Sequence, residues 1–549
     1  MEATAVAATR ERTIVVQRVD AGLRLLVDGA PQDVDEPSIG AAIAAAEAAA
    51  PRWVWDTADV YPALLRVGVR VGRAWDLRLA RALLRRAAGT PGGIAALPLD
   101  GWDDDPAAVD DAALPIDLGE HLDPAAELAR QQREIAGSSR PGALRLLITA
   151  ESAGALAAAE MRHAGLPWNR EQHERLLVDL LGPRVPADRR PAALERLADG
   201  IRSALGAPAL NPDSATELAR ALRGAGIEVD STRAAELRRV DHPAVAPLLE
   251  YKKLARLHQA NGWQWLDTWV ADGRFRPDYV VGGVVTGRWA TRGGGALQLP
   301  KQIRGAVVAD AGWRLVVADA AQLEPRVLAG LAQDHAMAEA GRDRDLYAGI
   351  VASGAVATRA SAKIGMLGAL YGATSGEGGR LVPRLAQRFP RALALVEQAA
   401  REGERGGTVS TLLGRSTPPV SDRHRAVDRD AAVLDADERV LRQARSMARD
   451  RGRFTRNFVV QGTAAEWALC WLADLRRRLW AIGDGALTDR PHLVYFLHDE
   501  VIVHTPAEHV DAVTAAVAGS ASAAGRLLFA DFPVDFPLDV AVVDRYSDA

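Results

Sequence analysis

The sequence predicts a multidomain protein of the α+β class, in which an N-terminal α/β domain precedes a larger and mainly helical region. Three observations support this prediction. The chain has 549 residues, enough for roughly three to five domains with cores of their own. Strand patterns alternate with helical ones before residue 140, whereas helical periodicity dominates from residue 144 onward. Two apolar β segments around 492–504 interrupt the helices near the C-terminal end.

Residues 1–140 form the first predicted domain. The segments TIVVQRV and LRLLVDG are typical of short strands, and WDLRLARALLRRAAG has the spacing of an amphipathic helix. The acidic stretch DGWDDDPAAVDDAALPIDLGEHLDP is expected to be a loop whose carboxylates face water. We place the boundary at SSRPG, residues 138–142, because Ser, Pro and Gly interrupt regular structure there.

A helical region follows from Leu144 to about Tyr251. The segment NPDSATELARALRGAG has a capping Asp or Ser before an apolar-periodic helix and a Gly at its end. The next segment, EYKKLARLHQANGWQWLDTWV, continues the helical pattern with basic and aromatic residues. Lys252 and Lys253 in this segment are candidates for contact with a nucleic acid.

The region after residue 280 contains the candidate chemistry. A glycine-rich stretch, VVGGVVTGRWATRGGGALQLP, leads to an apolar segment that ends on Asp319, which we predict to be a buried strand. Helices are expected from Asp334 to about Arg478. The apolar hairpin LVYFLHDEVIVH then carries three polar residues at its bend: His498, Asp499 and Glu500. Because burying an unpaired carboxylate is costly, these acids must face water or hold a cation.

Composition and charge exclude several classes of protein. The net charge of −4 argues against a uniformly basic surface but leaves room for a local basic groove. The single cysteine, Cys470, excludes an internal disulfide framework and a Cys-rich zinc site. Its apolar setting, WALCWLAD, predicts a buried structural thiol. We recognise no leader and no apolar run long enough to cross a bilayer, and therefore expect no membrane association.

The segment RASAKIGMLGALYG places four residues at intervals of four: Arg359, Lys363, Leu367 and Tyr371. In a helix this spacing puts two cations, an apolar side chain and a phenol along one slowly turning stripe. Such a stripe can present positive charge to a polyphosphate and a flat surface to a base. Gly365 and Gly368 weaken a helix by about 1 kcal/mol each relative to alanine, so they indicate a close approach of the backbone to another group.

Two separated carboxylates, Asp319 and Asp499, complete the set needed for metal-assisted nucleotidyl transfer. Aspartates on adjacent strands can bridge a pair of Mg²⁺ ions. One ion would lower the pKa of a primer 3′-hydroxyl, and the other would stabilise the departing pyrophosphate. Each feature taken alone also has an ordinary structural interpretation: a strand-end cap for Asp319, a turn for 498–500 and a surface helix for 359–371.

These segments resemble motifs A, B and C of the family A DNA polymerases, the group that contains bacterial DNA polymerase I. Motif A reads roughly DYSQIELR in that family and DAAQLEPR here, with agreement at Asp319, Gln322, Glu324 and Arg326. Motif B is R-x3-K-x3-aromatic-x3-YG, with agreement at Arg359, Lys363, Tyr371 and Gly372. Motif C is HDE, at 498–500.

Further segments agree with the same family. They include TGR at 286–288, LQ-x-P with Gln298 and Pro300, and R-x3-N-x3-QGTAA with Arg453, Asn457 and Gln461. LNPDSATEL and EYKKLARL resemble the thumb of that family. The resemblance covers about residues 145–549 in the order found in the family.

The resemblance implies a right-hand polymerase fold with palm, fingers and thumb, preceded by an RNase H-like α/β domain of the exonuclease type. The boundaries that follow from it are 1–140 for the exonuclease-like domain and 141–549 for the polymerase domain. Within the latter, we expect the thumb at about 165–275, the palm at about 276–333 and 435–549, and the fingers at about 334–434.

The resemblance also implies roles for individual residues. The catalytic residues would be Asp319, Asp499, Glu500 and Lys363. Two Mg²⁺ ions, with Mn²⁺ as the alternative, would be held by Asp319, Asp499 and the backbone carbonyl of Ala320. The residues that would contact the incoming nucleotide are Arg359, Lys363, Leu367, Tyr371, Glu324, Gln322 and His498. Those that would contact DNA are Arg288, Gln298, Arg453, Asn457, Gln461, Lys252 and Lys253. Glu324 would be the steric gate that excludes a 2′-hydroxyl, so that deoxynucleotides are the expected substrates.

Three departures from the family pattern bear on these roles. Leu367 stands where the family has Phe or Tyr, so stacking on the incoming nucleotide is lost and sugar selection is open. Ala320 and Ala321 replace the Tyr-Ser pair of motif A, which a metal bound through the backbone carbonyl tolerates. The glycines at 293–295 replace a more polar segment, which puts the template contact there in doubt.

The N-terminal domain departs further. The family's 3′–5′ exonuclease carries a DxE motif, a DTxL acid and a Y-x3-D motif. Here Asp28 has no acid two residues later, Asp76 lies where the DTxL acid would be, and Asp56 lies upstream. No Y-x3-D exists, because Tyr61 is the only tyrosine before Tyr251. Two-metal hydrolysis would lack most of its ligands, so we expect an inactive domain retained for packing or DNA guidance.

We therefore expect a template-directed DNA polymerase that fills gaps in DNA repair. Its expected partners are primer–template DNA, dNTPs and a separate 5′ nuclease, since we recognise no 5′-nuclease domain in the chain. We expect a monomer in the cytoplasm, associated with the nucleoid. Three alternatives stay open: a catalytically weak DNA-binding protein with a polymerase fold, an enzyme that retains 3′–5′ exonuclease activity, and an RNA polymerase or primase, which Glu324 disfavours.

Overall fold

The computed structural model describes residues 12–19, 22–104, 122–186, 188–342 and 345–549. The chain divides into two compact units. The first consists of Met1–Ala164, Tyr279–Ala290 and Val316–Val542, and the second of Gly165–Asp278, Thr291–Leu315 and Val543–Ala549. The domain boundaries predicted from the sequence remain predictions.

The N-terminal part of the first unit is built on a five-stranded sheet. Its strands are β1 (Thr13–Val19), β2 (Gly22–Val27), β3 (Ala30–Asp35), β4 (Arg52–Trp55) and β5 (Arg73–Asp76). They lie in the order β3-β2-β1-β4-β5. The first three strands pair antiparallel, whereas β4 joins β1 and β5 joins β4 in parallel. Strands β1 and β2 are those predicted from TIVVQRV and LRLLVDG.

Helices cover this sheet: α1 (Ile39–Glu47), α2 (Thr57–Arg66), α3 (Leu77–Leu84), α4 (Pro124–Ala136) and α5 (Pro141–Ala164). Because side chains alternate between the faces of a strand, Trp53 and Trp55 lie in one core cluster and Val54 in the other. Helix α5 contributes to both clusters, through Leu156 on one side and Leu147 on the other.

The acidic stretch that begins at Asp100 is not only a solvated surface. The fully buried Arg81 donates to Asp100 at 2.8 Å, to Asp103 at 3.1 Å and to Glu127 at 3.0 Å. A buried guanidinium requires such carboxylate partners. The prediction that these acids face water is therefore wrong for Asp103, which is largely buried beside Arg81. Residues 105–121 of the stretch lie outside the described residues.

A buried cluster of charged side chains joins α5 to α2 and to a later helix of the same unit. Glu160 on α5 accepts from Nε of Arg476 at 2.8 Å and from the hydroxyl of Tyr61 at 2.6 Å. Arg70 lies 2.9 Å from the same carboxylate. All four side chains are almost completely buried, so the loss of either arginine would leave a buried carboxylate undercompensated.

The second unit is helical with a small sheet. Its helices are α6 (Arg170–Leu181), α7 (Ala192–Ala204), α8 (Ala215–Gly224), α9 (Ala234–Leu237), α10 (Val245–Asn261) and α11 (Trp263–Trp269). Strands β6 (Leu166–Pro167), β7 (Val270–Ala271) and β8 (Arg274–Phe275) form a sheet in the order β6-β8-β7. The side chain of Ser214 caps α8, as predicted. Gly293 has a φ of 67°, and a Cβ there would come 2.4 Å from the Trp269 ring, so this glycine run serves a close turn.

Returning to the first unit, β9 (Tyr279–Val280) pairs with β10 (Ala290–Thr291). The central sheet contains β11 (Trp313–Ala320), β12 (His492–Leu497), β13 (Glu500–Pro506) and β14 (Leu538–Val543), in the order β12-β13-β11-β14. The predicted hairpin is the antiparallel pair β12–β13. The predicted buried strand that carries Asp319 is β11.

Nine helices complete the described part of this unit. They are α12 (Leu323–Ala332), α13 (His335–Gly341), α14 (Leu346–Ala352), α15 (Arg359–Tyr371), α16 (Gly376–Arg388), α17 (Pro390–Glu404), α18 (Asp422–Ala431), α19 (Glu438–Trp480) and α20 (Val510–Phe529). Helix α19 has 43 residues, and its C-terminal half is buried. Cys470 lies in that half, where burial raises the pKa of its thiol to about 12. The predicted buried thiol is confirmed.

Two helices of the described residues are long and apolar enough to cross a membrane by length and composition: Pro141–Ala164 and Ala507–Phe529. The expectation that the chain has no such run is therefore wrong by this criterion. Core helices pass the same test, and 56% of the apolar window in α5 is buried within the fold. Glu160 of α5 also pairs with Arg476. Packing thus accounts for the apolar character of α5.

Candidate functional site

The central sheet brings Asp319 and Asp499 to one cavity. Asp319 is near the end of β11, and Asp499 is in the turn between β12 and β13. The backbone amide of Ala320 donates to the carbonyl of Asp499 at 2.8 Å, so the strand end and the turn are joined directly. Both carboxylates line a cavity of about 240 Å³. Other predicted residues that line it are Arg288, Ala320, Gln322, Glu324 and His498.

The two carboxylates are held in a setting that disfavours their charges. Burial, followed by the charges of Asp499, Glu500 and Asp539, raises the pKa of Asp319 to about 7. Burial raises the pKa of Asp499 to about 6, although the Arg288 guanidinium opposes this shift. A cation placed between the two groups would favour both ionised forms. The two buried acids therefore give the cavity the electrostatic character of a site for a cation.

These donors fit a divalent cation. Within the described ranges, no group of three or more His, Cys, Asp or Glu side chains is arranged to hold a metal ion. Mg²⁺ needs no such group, because it keeps several waters and takes one or two protein carboxylates together with substrate phosphates. Asp319, Asp499 and the carbonyl of Ala320 form a donor set of that kind.

Two residues of the cavity wall other than glycine have left-handed backbone conformations. Gln322 has a φ of 51° and precedes α12, and His498 has a φ of 58° in the hairpin turn. Such conformations are uncommon for residues other than glycine and occur often at functional sites. Burial lowers the pKa of His498 to about 4, and Arg288 acts in the same direction. The imidazole is therefore neutral near pH 7, and its buried Nδ1 has no hydrogen-bond partner in the described part of the protein.

Arg288 and Glu324 form an ion pair in the cavity wall. Nη2 of Arg288 donates to Oε1 of Glu324 at 2.5 Å. The preceding Gly287 has a φ of 88°, and a Cβ there would come 2.5 Å from Nε of Arg415. Arg415 is itself buried and paired with Glu151. The Thr-Gly-Arg segment thus packs against the ion pair of Arg415 and Glu151. Gly287 has no side chain and leaves space for the Arg415 guanidinium.

Helix α15 presents the predicted cationic stripe. Its first turn is capped by the hydroxyl of Thr358, and it ends at Gly372 in a left-handed conformation. Lys363 is exposed, Leu367 is 38% exposed and Tyr371 is 45% exposed. Within the described residues, the Lys363 side chain has no hydrogen bond or ion pair. The stripe therefore faces away from the core.

The glycines of α15 make the close approach that the sequence indicated. A Cβ on Gly365 would come 2.8 Å from Cδ1 of Leu385, and one on Gly368 would come 3.2 Å from Cα of Gly378. The group approached is helix α16. These glycines therefore position the stripe by helix packing.

Arg359, at the start of α15, is bound to Asp345. Its Nη2 donates to Oδ2 of Asp345 at 2.7 Å, and its guanidinium lies 5.5 Å from the centre of the Tyr347 ring. The other oxygen of Asp345 caps α14 by accepting from the amide of Ala348 at 2.7 Å. Burial alone would raise the pKa of Asp345, but the bonds from Arg359 and Ala348 lower it below its usual range. Asp345 is therefore ionised.

Gln322 is also bound to the start of α14. Its Nε2 donates to Oδ2 of Asp345 at 3.3 Å, and its Oε1 accepts from the amide of Leu346 at 3.2 Å. Its amide group is therefore engaged within the protein, although the residue lines the cavity.

One side of α19 carries the predicted DNA contacts of the R-x3-N-x3-Q segment, of which Arg453 is exposed and Asn457 and Gln461 are half-buried. Arg453 pairs with Asp450. Oδ1 of Asn457 is buried and has no hydrogen-bond partner among the described residues. Burial, followed by the charge of Glu324, raises the pKa of Tyr371, whereas the side chain of Gln461 lowers it. This side of α19 therefore lies close to Tyr371 of α15, which is itself close to Glu324.

Several predicted residues lie elsewhere. The cavity wall does not include Glu500, Arg359, Lys363, Leu367, Tyr371, Arg453, Asn457 or Gln461. Lys252 and Lys253 belong to the second unit, where Lys252 donates to Thr232 at 3.4 Å and Lys253 pairs with Glu250 at 3.3 Å. Gln298 is also in that unit, and its side chain lies outside the described set.

The sequence-based interpretation missed two residues of this region. Tyr347 lines the cavity, and Asp345 holds both Arg359 and Gln322. Neither residue belongs to a motif that we recognised. The available signal was an aspartate directly before an apolar helix, which by itself indicates only an N-cap.

Comparison with known proteins gives consistent results. The family model described as DNA polymerase family A matches residues 191–546. The thermostable DNA polymerase I of Thermus filiformis is 28% identical over 417 residues, covering 69% of this chain and 42% of that protein. That of Thermus aquaticus is 27% identical over 431 residues, covering 72% of this chain and 43% of that protein. The chain thus spans about two fifths of the length of these relatives.

A solved structure shows the same fold. It is the POL domain of Pol1 from M. smegmatis in complex with DNA primer-template and dNTP. The TM-score is 0.68 at 19% sequence identity, and the match covers 98% of this chain and 96% of that chain.

Proposed function

The chain belongs to DNA polymerase family A, and from this premise we propose that it is a template-directed DNA polymerase that adds deoxynucleotides to a primer 3′-hydroxyl. The observation that carries the proposal is the joint position of Asp319 and Asp499 in one cavity, with burial raising the pKa of both carboxyls. Two acids in this state are suited to bind cations together with an anionic substrate.

The residues around the two acids support this reaction. Two Mg²⁺ ions, or Mn²⁺ in their place, would be held by Asp319, Asp499 and the Ala320 carbonyl, and would supply the charge that activates the 3′-hydroxyl and stabilises pyrophosphate. The exposed Lys363 offers a compact positive charge to a triphosphate. The neutral His498 contributes a polar ring without adding charge.

Another part of the cavity wall supports selection of the sugar. Glu324 lines the cavity and is fixed by Arg288. A carboxylate held in this way resists displacement and would exclude a 2′-hydroxyl by contact and by the loss of hydration. The expected substrates are therefore dNTPs, and the expected macromolecular partner is primer–template DNA.

A primer-extension assay tests the proposal. Wild-type protein with Mg²⁺ should extend a primer across a short gap using dNTPs, and extension with rNTPs should be weaker by about a hundredfold or more. Asp319→Asn and Asp499→Asn should each lower the rate by about a hundredfold or more, because each removes a cation ligand.

Asp539→Asn is the matched control. Asp539 contributes to the charge around Asp319 but is exposed on β14 and does not line the cavity. Its variant should retain most of the activity. An inactive wild type, or a preference for rNTPs, would contradict the proposal.

The cellular role is part of the same proposal. We assign the protein to gap filling in DNA repair near the nucleoid in the cytoplasm, with a 5′ nuclease supplied by another protein. The role is tested by comparing extension across the short gap with extension on a long single-stranded template. Faster extension across the gap would support gap filling.

A further inference from the structure

The N-terminal part of α19 carries a line of exposed arginines. They are Arg439, Arg442, Arg445 and Arg449. Intervals of three and four residues place them along one side of a helix, which we call the arginine face. The next arginine in the line is Arg453, followed on the same side by Asn457 and Gln461. The arginine face is therefore continuous along the helix with the R-x3-N-x3-Q segment, whose Gln461 acts on Tyr371 of α15.

The positive charge of this face is little compensated. Within the described residues, no hydrogen bond or ion pair engages the side chains of Arg439, Arg445 and Arg449. Arg442 pairs with Glu438 at 3.2 Å, and both side chains are exposed. Exposed pairs of this kind contribute little to stability and exchange readily. Like charges at these intervals destabilise a helix slightly, so a bound polyanion would relieve the repulsion.

We propose that the arginine face binds the phosphate backbone of the single-stranded template ahead of the primer. This inference rests on the proposed function and adds a surface to it. The face is one line of cations on one helix, and such a line follows one strand. From Arg439 to Arg449 it extends about 15 Å at 1.5 Å per residue.

The chemistry of the face favours binding without regard to base sequence. Arginine forms bidentate contacts with phosphate and also stacks on exposed bases. Asn, Gln, Glu and Asp side chains can read base edges. Between residues 439 and 449 the helix contains one such residue, Gln443. Its contribution should therefore depend on overhang length and on salt.

Binding titrations of the full chain test this proposal. The probes are two primer–templates that share one duplex and carry 5′ overhangs of about 2 and about 12 nucleotides, titrated over a range of salt concentrations. The wild type should bind the long overhang more tightly and with a steeper dependence on salt. The variant R439Q/R442Q/R445Q/R449Q should lose this gain, with a fall of up to about 3 in the slope of log K against log salt, or about 0.7 for each phosphate contact.

A second variant controls for net charge. Four other arginines of the same unit are exposed on four different helices: Arg66, Arg133, Arg145 and Arg526. Their replacement by Gln removes the same total charge and leaves the arginine face intact. This variant should keep the gain from the long overhang. Gln is a good helix former, so thermal unfolding of both variants should stay close to that of the wild type.

The outcomes separate this inference from the proposed function. Two results would overturn the proposal for the arginine face: an equal loss of affinity for the long overhang in the two variants, or a wild type that binds both overhangs equally. Extension of the short-overhang substrate by the arginine-face variant at the wild-type rate would leave the polymerase proposal intact. The absence of extension by the wild type would contradict the polymerase proposal whatever the binding result.

Discussion

Arg359 and Asp345 are joined by an ion pair of 2.7 Å between the first turn of α15 and the start of α14. The pair is partly exposed, with 60% of the Arg359 side chain and 30% of the Asp345 side chain accessible. Arg359 is one of the cations that the resemblance assigns to the triphosphate. In this conformation it is already bound to a carboxylate, so a nucleotide would have to displace Asp345.

We predict that Asp345→Asn lowers the KM for dNTPs by about twofold to fivefold, because an exposed ion pair is weak and its loss frees Arg359 for the triphosphate. Asn is as good an N-cap as Asp, so the bond to the Ala348 amide and the start of α14 should survive. Steady-state kinetics on a primed template measure the change.

A double-mutant cycle with Arg359→Gln gives the control. Arg359→Gln alone should raise the KM, and Asp345→Asn should then have little further effect. A rise in KM for Asp345→Asn alone would mean that Asp345 positions Arg359 for the nucleotide, and would contradict the prediction.

Leu367 is predicted to limit the use of chain terminators. It is 38% exposed on the stripe of α15, so a larger side chain can be accommodated. Leu367→Tyr would restore a ring for stacking and add a hydroxyl near the sugar. We expect dideoxynucleotide incorporation relative to dNTP to increase by about threefold to tenfold, because the added hydroxyl can replace a hydrogen bond of the missing 3′-hydroxyl, about 0.5–1.5 kcal/mol.

Competition between dideoxynucleotides and dNTPs in primer extension measures this ratio. Leu367→Phe is the matched control, because it restores the ring without the hydroxyl. Unchanged sensitivity in Leu367→Tyr would count against the placement of this residue at the nucleotide.

The contact between α15 and α16 supplies a stability prediction. Gly368→Ala would place a Cβ 3.2 Å from Cα of Gly378, and backbone cannot yield as a side chain would. We expect the free energy of unfolding to fall by about 1–3 kcal/mol from overpacking, which outweighs the gain in helix propensity of about 1 kcal/mol. Gly200→Ala in α7 is the control, since a Cβ there meets nothing within 4 Å. It should stabilise the protein, and equal effects at the two sites would contradict the packing argument.

Local sequence patterns were sufficient for the elements that carry the site. Apolar segments with a polar interruption predicted β11 and the β12–β13 hairpin, and the spacing of α15 predicted its stripe, because strand and helix periodicity are properties of short segments. The contact of Asp345 with Arg359 depends on how α14 packs against α15, and no short segment encodes it. Arg81 was missed for the same reason: its acid partners come from residues 100–103 and from Glu127.

The N-terminal acids Asp56 and Asp76 support the prediction that this domain has no nuclease activity. Oδ2 of Asp76 accepts from the amide of Thr57 at 3.0 Å, and Oδ1 accepts from the amide of Leu79 at 2.9 Å. Asp56 accepts from the amide of Ala58 at 3.1 Å and from Arg78 at 2.7 Å. Both carboxylates thus cap helices. We expect no Mg²⁺-dependent degradation of single-stranded DNA, and robust degradation that Asp76→Asn abolishes would overturn this view.

Asp76 should also make the free energy of unfolding depend on pH, with stability falling as pH rises. Burial, followed by the charge of Asp56, raises the pKa of Asp76 to about 6, against about 3.9 in an unfolded chain. Between these values the folded state binds more protons than the unfolded state, so the stabilising contribution of protonated Asp76 is lost as pH rises from about 4 to about 6. Chemical denaturation should therefore show that the free energy of unfolding of the wild type, relative to that of Asp76→Asn, falls by up to about 3 kcal/mol over this interval. A difference that is constant with pH would show that the pKa of Asp76 is the same in the folded and unfolded protein, and that its two amide bonds compensate its burial.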